Sequence, residues 1–247
     1  MNRNISLSPV FRRIGTHTAG FGRTVLRQPV FAVLLLIPPL TGLMIRPLPG
    51  ILGFYLPDFD FSEWVPLFLA LTAGFPAYLF GFLSSLILLD ERDRGLLPAL
   101  RVTPLSDRGL LAAKLIPAMM LSLFGTPAAL ALSGQAYRIS PAALTAAAII
   151  AVPSTAFYAL AGTSLARNKV QGISIGKVMG LLLIGPVLLA MLPAPWRFFS
   201  LIFPSAWLGW LIEDPVNQIY RAAGGFLYVT ALSMIKWRGA MKRYFEE

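Results

Sequence analysis

The sequence of 247 residues contains no cysteine and a single histidine, His17. Without cysteine the chain has no disulfide bonds and no thiolate metal site, and cysteine usage says nothing about the redox compartment. Charged residues make up only 13% of the chain, and no aspartate or glutamate falls within a predicted span. Chemistry inside a membrane requires a nucleophile with a base, or several metal ligands, at that depth. The sequence therefore predicts no catalytic, cofactor-binding or metal-binding residues, and an intramembrane enzyme is a disfavoured alternative.

Long apolar runs dominate the chain instead. Hydrophobic residues account for 56% of the sequence, and the mean hydropathy is +0.70. A hydrocarbon core of about 30 Å requires roughly 20 apolar residues in each spanning helix. Six segments satisfy this requirement, so the sequence predicts an all-α membrane protein with one transmembrane domain over residues 1–247. The predicted spans are 28–46, 65–89, 109–133, 141–166, 174–192 and 219–237.

The basic residues are distributed unevenly between the two ends of these spans. Of the 21 lysines and arginines, 17 fall on one side of the predicted topology and 4 on the other. Because positive charge is retained on the cytoplasmic side, both termini are predicted to be cytoplasmic. The same asymmetry explains the net charge of +10 without a nucleic-acid partner.

Residues 8–27 precede the first predicted span and are amphipathic. Ser8 is suited to the N-cap of a helix and Pro9 to its first position. Val10, Phe11 and Ile14 can share one helical face, with the arginines elsewhere. This pattern is typical of a helix that lies in the membrane interface. A mobile basic tail remains the alternative.

Residues 90–108 interrupt the apolar pattern with eight charged side chains in nineteen positions. Between the charges lies an apolar insert that includes Leu97, Leu100 and Val102. Pro98 suits the first turn of a helix, and Pro104 would end it, since the residue before a proline is disfavoured in the α region. The pattern predicts a short helix on the cytoplasmic side, between the second and third spans, with apolar residues available to a partner.

The stretch "ERDRGLLPALRVTPLS", from Glu91 to Ser106, resembles the signature of the ABC type-2 exporter permeases. Leu96 and Pro98 stand where that signature usually has threonine and glutamate. The wider resemblance covers nearly the whole chain, through the amphipathic N-terminal segment and the six spans. Leu105 and Ser106 also fit the signature. The fitting residues that we expect to couple the chain to an ATPase are Glu91, Arg92, Asp93, Gly95, Leu97, Leu100, Val102, Thr103 and Pro104.

This resemblance implies a permease whose cytoplasmic coupling helix sits in a groove of a separate ATP-binding cassette ATPase. The working unit would contain two ATPases and two permeases, the second permease being another copy of this chain or a related one. ATP and magnesium would be bound by the ATPase, and the permease would lie in a bacterial inner membrane. The chain is also similar to small bacterial drug-export permeases, including those for fluoroquinolones.

The chain has no phosphate-binding loop of its own. "QGISIGKV", residues 171–178, fails the P-loop pattern at its first and last positions. Gly172, Gly176 and Gly180 recur here at every fourth residue, a spacing that allows transmembrane helices to approach closely. Helix packing is the favoured interpretation of these glycines, and substrate contact is the alternative.

Residues 196–212 form a seventh apolar stretch, which is short and contains Pro204. Irregular backbone at membrane depth must be buried within protein. The segment is therefore predicted to be a re-entrant hairpin before the sixth span, and a full span is the alternative.

The absence of charge within the spans favours an amphipathic drug or lipid-like substrate over an ion or sugar. A non-transporting regulatory membrane subunit remains a further alternative. For each aromatic residue along the expected path, packing within the bundle is the competing interpretation. The candidate path residues are Phe68, Phe75, Tyr78, Phe124, Phe157 and Tyr158.

Overall fold

The computed structural model describes residues 29–56, 58, 60–101, 106–213 and 216–245. The predicted interfacial segment 8–27 and His17 lie outside these residues. Within them the secondary structure is entirely helical, so the all-α prediction is confirmed for the part that is described. The α-helices are α1 (Pro29–Ile45), α2 (Leu48–Tyr55), α3 (Phe61–Asp93), α4 (Leu97–Arg101), α5 (Asp107–Leu132), α6 (Pro141–Leu165), α7 (Lys169–Gly180), α8 (Gly185–Met191), α9 (Ala206–Glu213) and α10 (Gln218–Phe245).

Five helical segments of the described residues are long and apolar enough to cross a membrane. They are Leu36–Tyr55, Phe61–Asp93, Asp107–Leu132, Pro141–Leu165 and Lys169–Met191. The first differs from the predicted span, because the chain forms α2 after Arg46, where an external loop was expected. Pro49 lies in the first turn of α2, and that position tolerates a proline. The sixth predicted span lies in α10, whose 28 residues are long enough but more polar than the other five.

Helix α6 lies at the centre of the bundle and packs against α3, α5 and α10. Its buried residues are mostly small, and small residues allow neighbouring backbones to approach closely. The approach is tightest against α3. A Cβ atom on Gly81 would lie 2.6 Å from the Thr155 carbonyl oxygen, and one on Gly162 would lie 2.6 Å from Ser85 Oγ.

The glycines of α7 pack against α3. A methyl group on Gly176 would overlap the ring of Phe82, and one on Gly172 would lie 2.5 Å from a methyl carbon of Leu89. The Tyr78 hydroxyl donates a hydrogen bond to the Gly176 carbonyl oxygen at 3.0 Å. The geometry therefore agrees with the helix-packing interpretation of the glycine repeat.

The chain between α8 and α10 folds back on itself as a helical hairpin. Its first limb is a 3-10 helix, Trp196–Ile202, and its second limb is α9, and both limbs pack against α8. An ion pair between Arg197 and Glu213 joins the two ends of the hairpin. At the turn, Ser205 Oγ donates to the Leu182 carbonyl oxygen at 2.6 Å.

The turn of this hairpin lies deep along its neighbouring helices. At the open end of the hairpin, Arg197 Nε donates to the Leu189 carbonyl oxygen at 2.9 Å. The turn of the hairpin instead contacts Leu182, which is seven residues earlier in the neighbouring helical segment. Seven helical residues correspond to about 10 Å. The turn also packs near Gly74 of α3, which lies well inside that helix.

Candidate functional site

Helix α3 ends in a glycine turn that sets the direction of α4. Gly95 has a φ of +65°, a left-handed conformation that glycine adopts without steric penalty. The Gly95 N–H donates to the Arg92 carbonyl oxygen at 2.9 Å, and the Leu96 N–H donates to the Glu91 carbonyl oxygen at 3.0 Å. This pair of bonds is the Schellman arrangement of a helix C-terminus. The signature glycine therefore ends α3 and determines where α4 begins.

Glu91 lies at the junction of three helices. Its Oε1 atom forms an ion pair with Lys114 of α5, and its Oε2 atom accepts a hydrogen bond of 2.8 Å from the Tyr244 hydroxyl of α10. The Glu91 and Lys114 side chains are only 16% and 20% exposed. Burial first, and then the Glu91 carboxylate, raise the pKa of the Tyr244 hydroxyl, so this group stays protonated and donates.

Arg92 contacts carbonyl oxygens at the ends of two helices. Its guanidinium donates to the Arg243 carbonyl oxygen near the end of α10 at 3.0 Å. It also donates to the carbonyl oxygens of Ala166 and Arg167, directly after α6. Carbonyl groups at helix C-termini have no partner within their own helix and carry partial negative charge, so they favour a guanidinium.

The remaining acids of this turn contact the start of α7. Asp93 Oδ2 accepts a hydrogen bond of 2.7 Å from the Lys169 N–H, and Asp90 forms an ion pair with the Lys169 ammonium at 2.9 Å. Asp90 also pairs with Arg94 within α3 at 3.0 Å. Residues 90–94 thus connect the end of α3 to α5, α6, α7 and α10. We call this set of contacts the α3 hub.

Helix α4 leaves this hub with one face inward and another exposed. Leu97 packs against a buried cluster formed by α3, α5, α6 and α10. Pro98 and Ala99 are exposed, and Leu96 directly before the helix is 43% exposed. The backbone of Leu100 belongs to α4, while Val102, Thr103 and Pro104 lie outside the described residues. Leu97 is half-buried by this contact, and its expected contact with an ATPase stays a prediction.

Four aromatic rings of the expected path form one cluster between α3 and α6. The Tyr78 ring lies 6.1 Å from Phe75 and 5.5 Å from Tyr158, and Phe157 lies 5.4 Å from Tyr158, measured between centroids. The Tyr158 hydroxyl is buried and has no hydrogen-bond partner. Tyr78 also stacks on Phe82 at 6.1 Å.

The two other path residues lie elsewhere. Phe68 stacks on Phe61 at 5.3 Å, nearer the start of α3. Phe124 lies on the outside of α5 and is 70% exposed. The six candidates therefore do not line one continuous surface within a single chain.

The sequence interpretation missed two members of the hub. Lys114 near the end of its span can be explained by snorkelling alone, and Tyr244 is not among the candidate residues of the sequence. A lysine placed two turns into an apolar helix indicates a partner as readily as snorkelling, and this was the available signal for Lys114. No sequence signal identifies Tyr244, because its contact with Glu91 spans 153 residues. Among the residues that the structure describes, no group of three His, Asp or Glu could hold a metal ion.

Comparison with known proteins assigns the chain to a family. The family model described as "Fluoroquinolones export permease protein Rv2686c-like" matches residues 22–237. The chain belongs to this family. The match agrees with the resemblance to ABC type-2 permeases and to small bacterial fluoroquinolone-export permeases, and it confirms a multi-pass membrane export permease.

Two relatives cover most of the permease. The fluoroquinolones export permease proteins MT2760 and Rv2686c, from the CDC 1551 / Oshkosh and ATCC 25618 / H37Rv strains of Mycobacterium tuberculosis, are each 26% identical over 235 residues. Each alignment covers 89% of this chain and 92% of the relative. No solved structure matches the chain.

Proposed function

We propose that this permease is the transmembrane subunit of an ATP-binding cassette exporter, driven by a separate ATPase subunit that binds ATP and magnesium. The observation that carries the proposal is α4, a short helix at the end of a long apolar helix, in which Pro98 and Ala99 are exposed, as is Leu96 directly before it. The hub joins the end of α3, from which α4 leaves, to four other helices, so a displacement of α4 that moves the end of α3 would move several spanning helices together. That is the requirement for a rigid-body change between access states.

The proposed topology places α4 and both termini in the cytoplasm of a bacterial cell, in its inner membrane. The charge asymmetry of the sequence supports this orientation. In the same orientation the hairpin of residues 196–213 is re-entrant, with both ends external, and α10 is the sixth span. The ion pair between Arg197 and Glu213 supports placing the two ends of the hairpin at the same depth in the membrane.

Single cysteines in the natural cysteine-free chain test this topology. We expect an impermeant thiol reagent to label Asp60→Cys and Tyr137→Cys in intact cells, while Arg94→Cys and Lys242→Cys react only after permeabilisation. Labelling of Arg94→Cys in intact cells would reverse the orientation. Labelling of Lys242→Cys, with Arg94→Cys protected, would mean that the hairpin segment spans the membrane.

The proposed substrate is an amphipathic drug or lipid-like molecule, exported by alternating access between this chain and a second permease. The apolar spans and the cluster around Tyr78 and Tyr158 support this class, since an ion or sugar would require charged or numerous polar groups. Fluoroquinolones are the first compounds to test, because the mycobacterial relatives are named as fluoroquinolone export permeases.

An aspartate at Leu96 tests the ATPase partnership. The Leu96→Asp variant should place an unpaired charge in the interface with the ATPase, which is unfavourable by several kcal/mol. We expect normal permease abundance, with loss of the copurifying ATPase and of drug-stimulated ATP hydrolysis in reconstituted vesicles. Val216→Asp, the same kind of change in an exposed segment before α10, is the control and should retain both.

Two results would contradict the proposal. If the unmodified permease, purified in mild detergent, carries no ATP-binding cassette ATPase detectable by mass spectrometry, the driven mechanism is wrong. If Leu96→Asp retains the ATPase and full drug transport, the exposed side of α4 is not the docking surface.

A further inference from the structure

The last turn of α10 lies beside the α3 hub and the start of α4. Arg243, Tyr244 and Phe245 are consecutive, and each contacts the α3 hub or the core beneath α4. Arg243 accepts from Arg92 through its carbonyl oxygen, and Tyr244 donates to Glu91. Phe245 is buried in the cluster against which Leu97 packs, and Tyr244 belongs to the same cluster.

Glu91 links this turn of α10 to α4 through two different groups. Its backbone carbonyl oxygen accepts from the Leu96 N–H, one residue before α4 begins. Its carboxylate accepts from the Tyr244 hydroxyl, 2.8 Å away. Glu91 therefore contacts both the turn that precedes α4 and the last turn of α10.

The opposite half of α10 contacts the hairpin. The Tyr228 hydroxyl donates to the Ile202 carbonyl oxygen, and the indole of Trp207 packs on Gly224 and Gly225. A helix of 28 residues is about 42 Å long. One continuous helix thus connects the surroundings of α4 with the hairpin at the far end of the bundle.

We propose that Tyr244 is a positioning residue for coupling: its hydroxyl fixes Glu91 on the α10 C-terminus, so that α4 and α10 move as one body. The inference rests on the proposed ATPase-driven function and assigns a role to the C-terminal turn, which the family signature does not include. The ring of Tyr244 packs in the core, while its hydroxyl makes the hydrogen bond to Glu91. These two contributions can be separated, because phenylalanine preserves the ring and removes the hydroxyl.

The first measurement needs no ATPase. Nitroxide labels at Ala99→Cys and Arg238→Cys, both exposed positions, report the distance between α4 and α10 in lipid nanodiscs. We expect a narrow distance distribution in the parent and in Tyr220→Phe, a control at the other end of α10. Tyr244→Phe should roughly double the width, because loss of a hydrogen bond permits local opening.

The second measurement separates positioning from folding. In the purified complex, Tyr244→Phe should retain the ATPase and its basal hydrolysis and lose most of the drug stimulation. A narrow distribution in Tyr244→Phe would overturn the inference. Poor accumulation of this variant, or parallel loss of ATPase and basal hydrolysis, would also overturn it by assigning the hydroxyl to folding. If the parent copurifies no ATPase while the distribution still widens, the proposed function fails and the physical connection stands.

Discussion

Glu91→Ala is expected to abolish export and to destabilise the cytoplasmic end of the bundle. The change removes the carboxylate that pairs with Lys114 and accepts from Tyr244. Loss of a partly buried charged partner typically destabilises a protein by about 2 to 3 kcal/mol. We expect a clearly lower thermal midpoint in detergent and no drug efflux from cells.

A double substitution tests whether the ion pair is the cause. Lys114→Met removes the ammonium while it preserves much of the side-chain volume. If the pair matters, Glu91→Ala combined with Lys114→Met should be less destabilised than the sum of the two single changes. Strict additivity would show that Glu91 and Lys114 do not stabilise each other.

Arg92→Ala is expected to have an effect of similar size, for a different reason. It leaves the carbonyl oxygens of Arg243, Ala166 and Arg167 without their guanidinium donor. We expect a loss of about 3 kcal/mol in the free energy of unfolding, since hydrogen bonds to a charged group contribute more than neutral ones. Arg92→Lys should recover only part of it, because an ammonium cannot reproduce the planar fork of the guanidinium.

Arg94→Ala is the matched control two residues away. Its side chain is 66% exposed and pairs with Asp90 of the same helix. Exposed pairs of this kind contribute about 0 to 1 kcal/mol. Equal effects of Arg92→Ala and Arg94→Ala, measured by thermal unfolding and by efflux, would contradict the assigned role of Arg92.

Composition and periodicity predicted the elements that depend on local sequence. Apolar runs gave the helical character and the approximate positions of α3, α5, α6 and the segment Lys169–Met191, because lipid requires long internally bonded helices. Pro98 correctly indicated the first turn of α4. The repeat of Gly172 and Gly176 indicated a close helix contact, which is present against α3.

Contacts between residues far apart in the chain could not be predicted from the sequence. The ion-pair partner of Glu91 is Lys114, which is 23 residues away in the sequence. The neighbouring Arg92 has other partners, the carbonyl oxygens at the ends of α6 and α10. The half-burial of Leu97 against the cluster of α3, α5, α6 and α10 follows from the turn at Gly95, and its contact with a partner stays a prediction. These outcomes depend on how five helices meet, and a single sequence contains no measure of that arrangement.

The glycine turn at the end of α3 has a consequence for binding thermodynamics. The two backbone bonds around Gly95 direct the chain into α4 without any partner. Ordering a flexible residue on binding would be unfavourable by about 1 to 2 kcal/mol, and a preformed helix avoids most of that loss. An ATPase would therefore meet a shaped surface by rigid docking, with the entropy of ordering already lost when the permease folded.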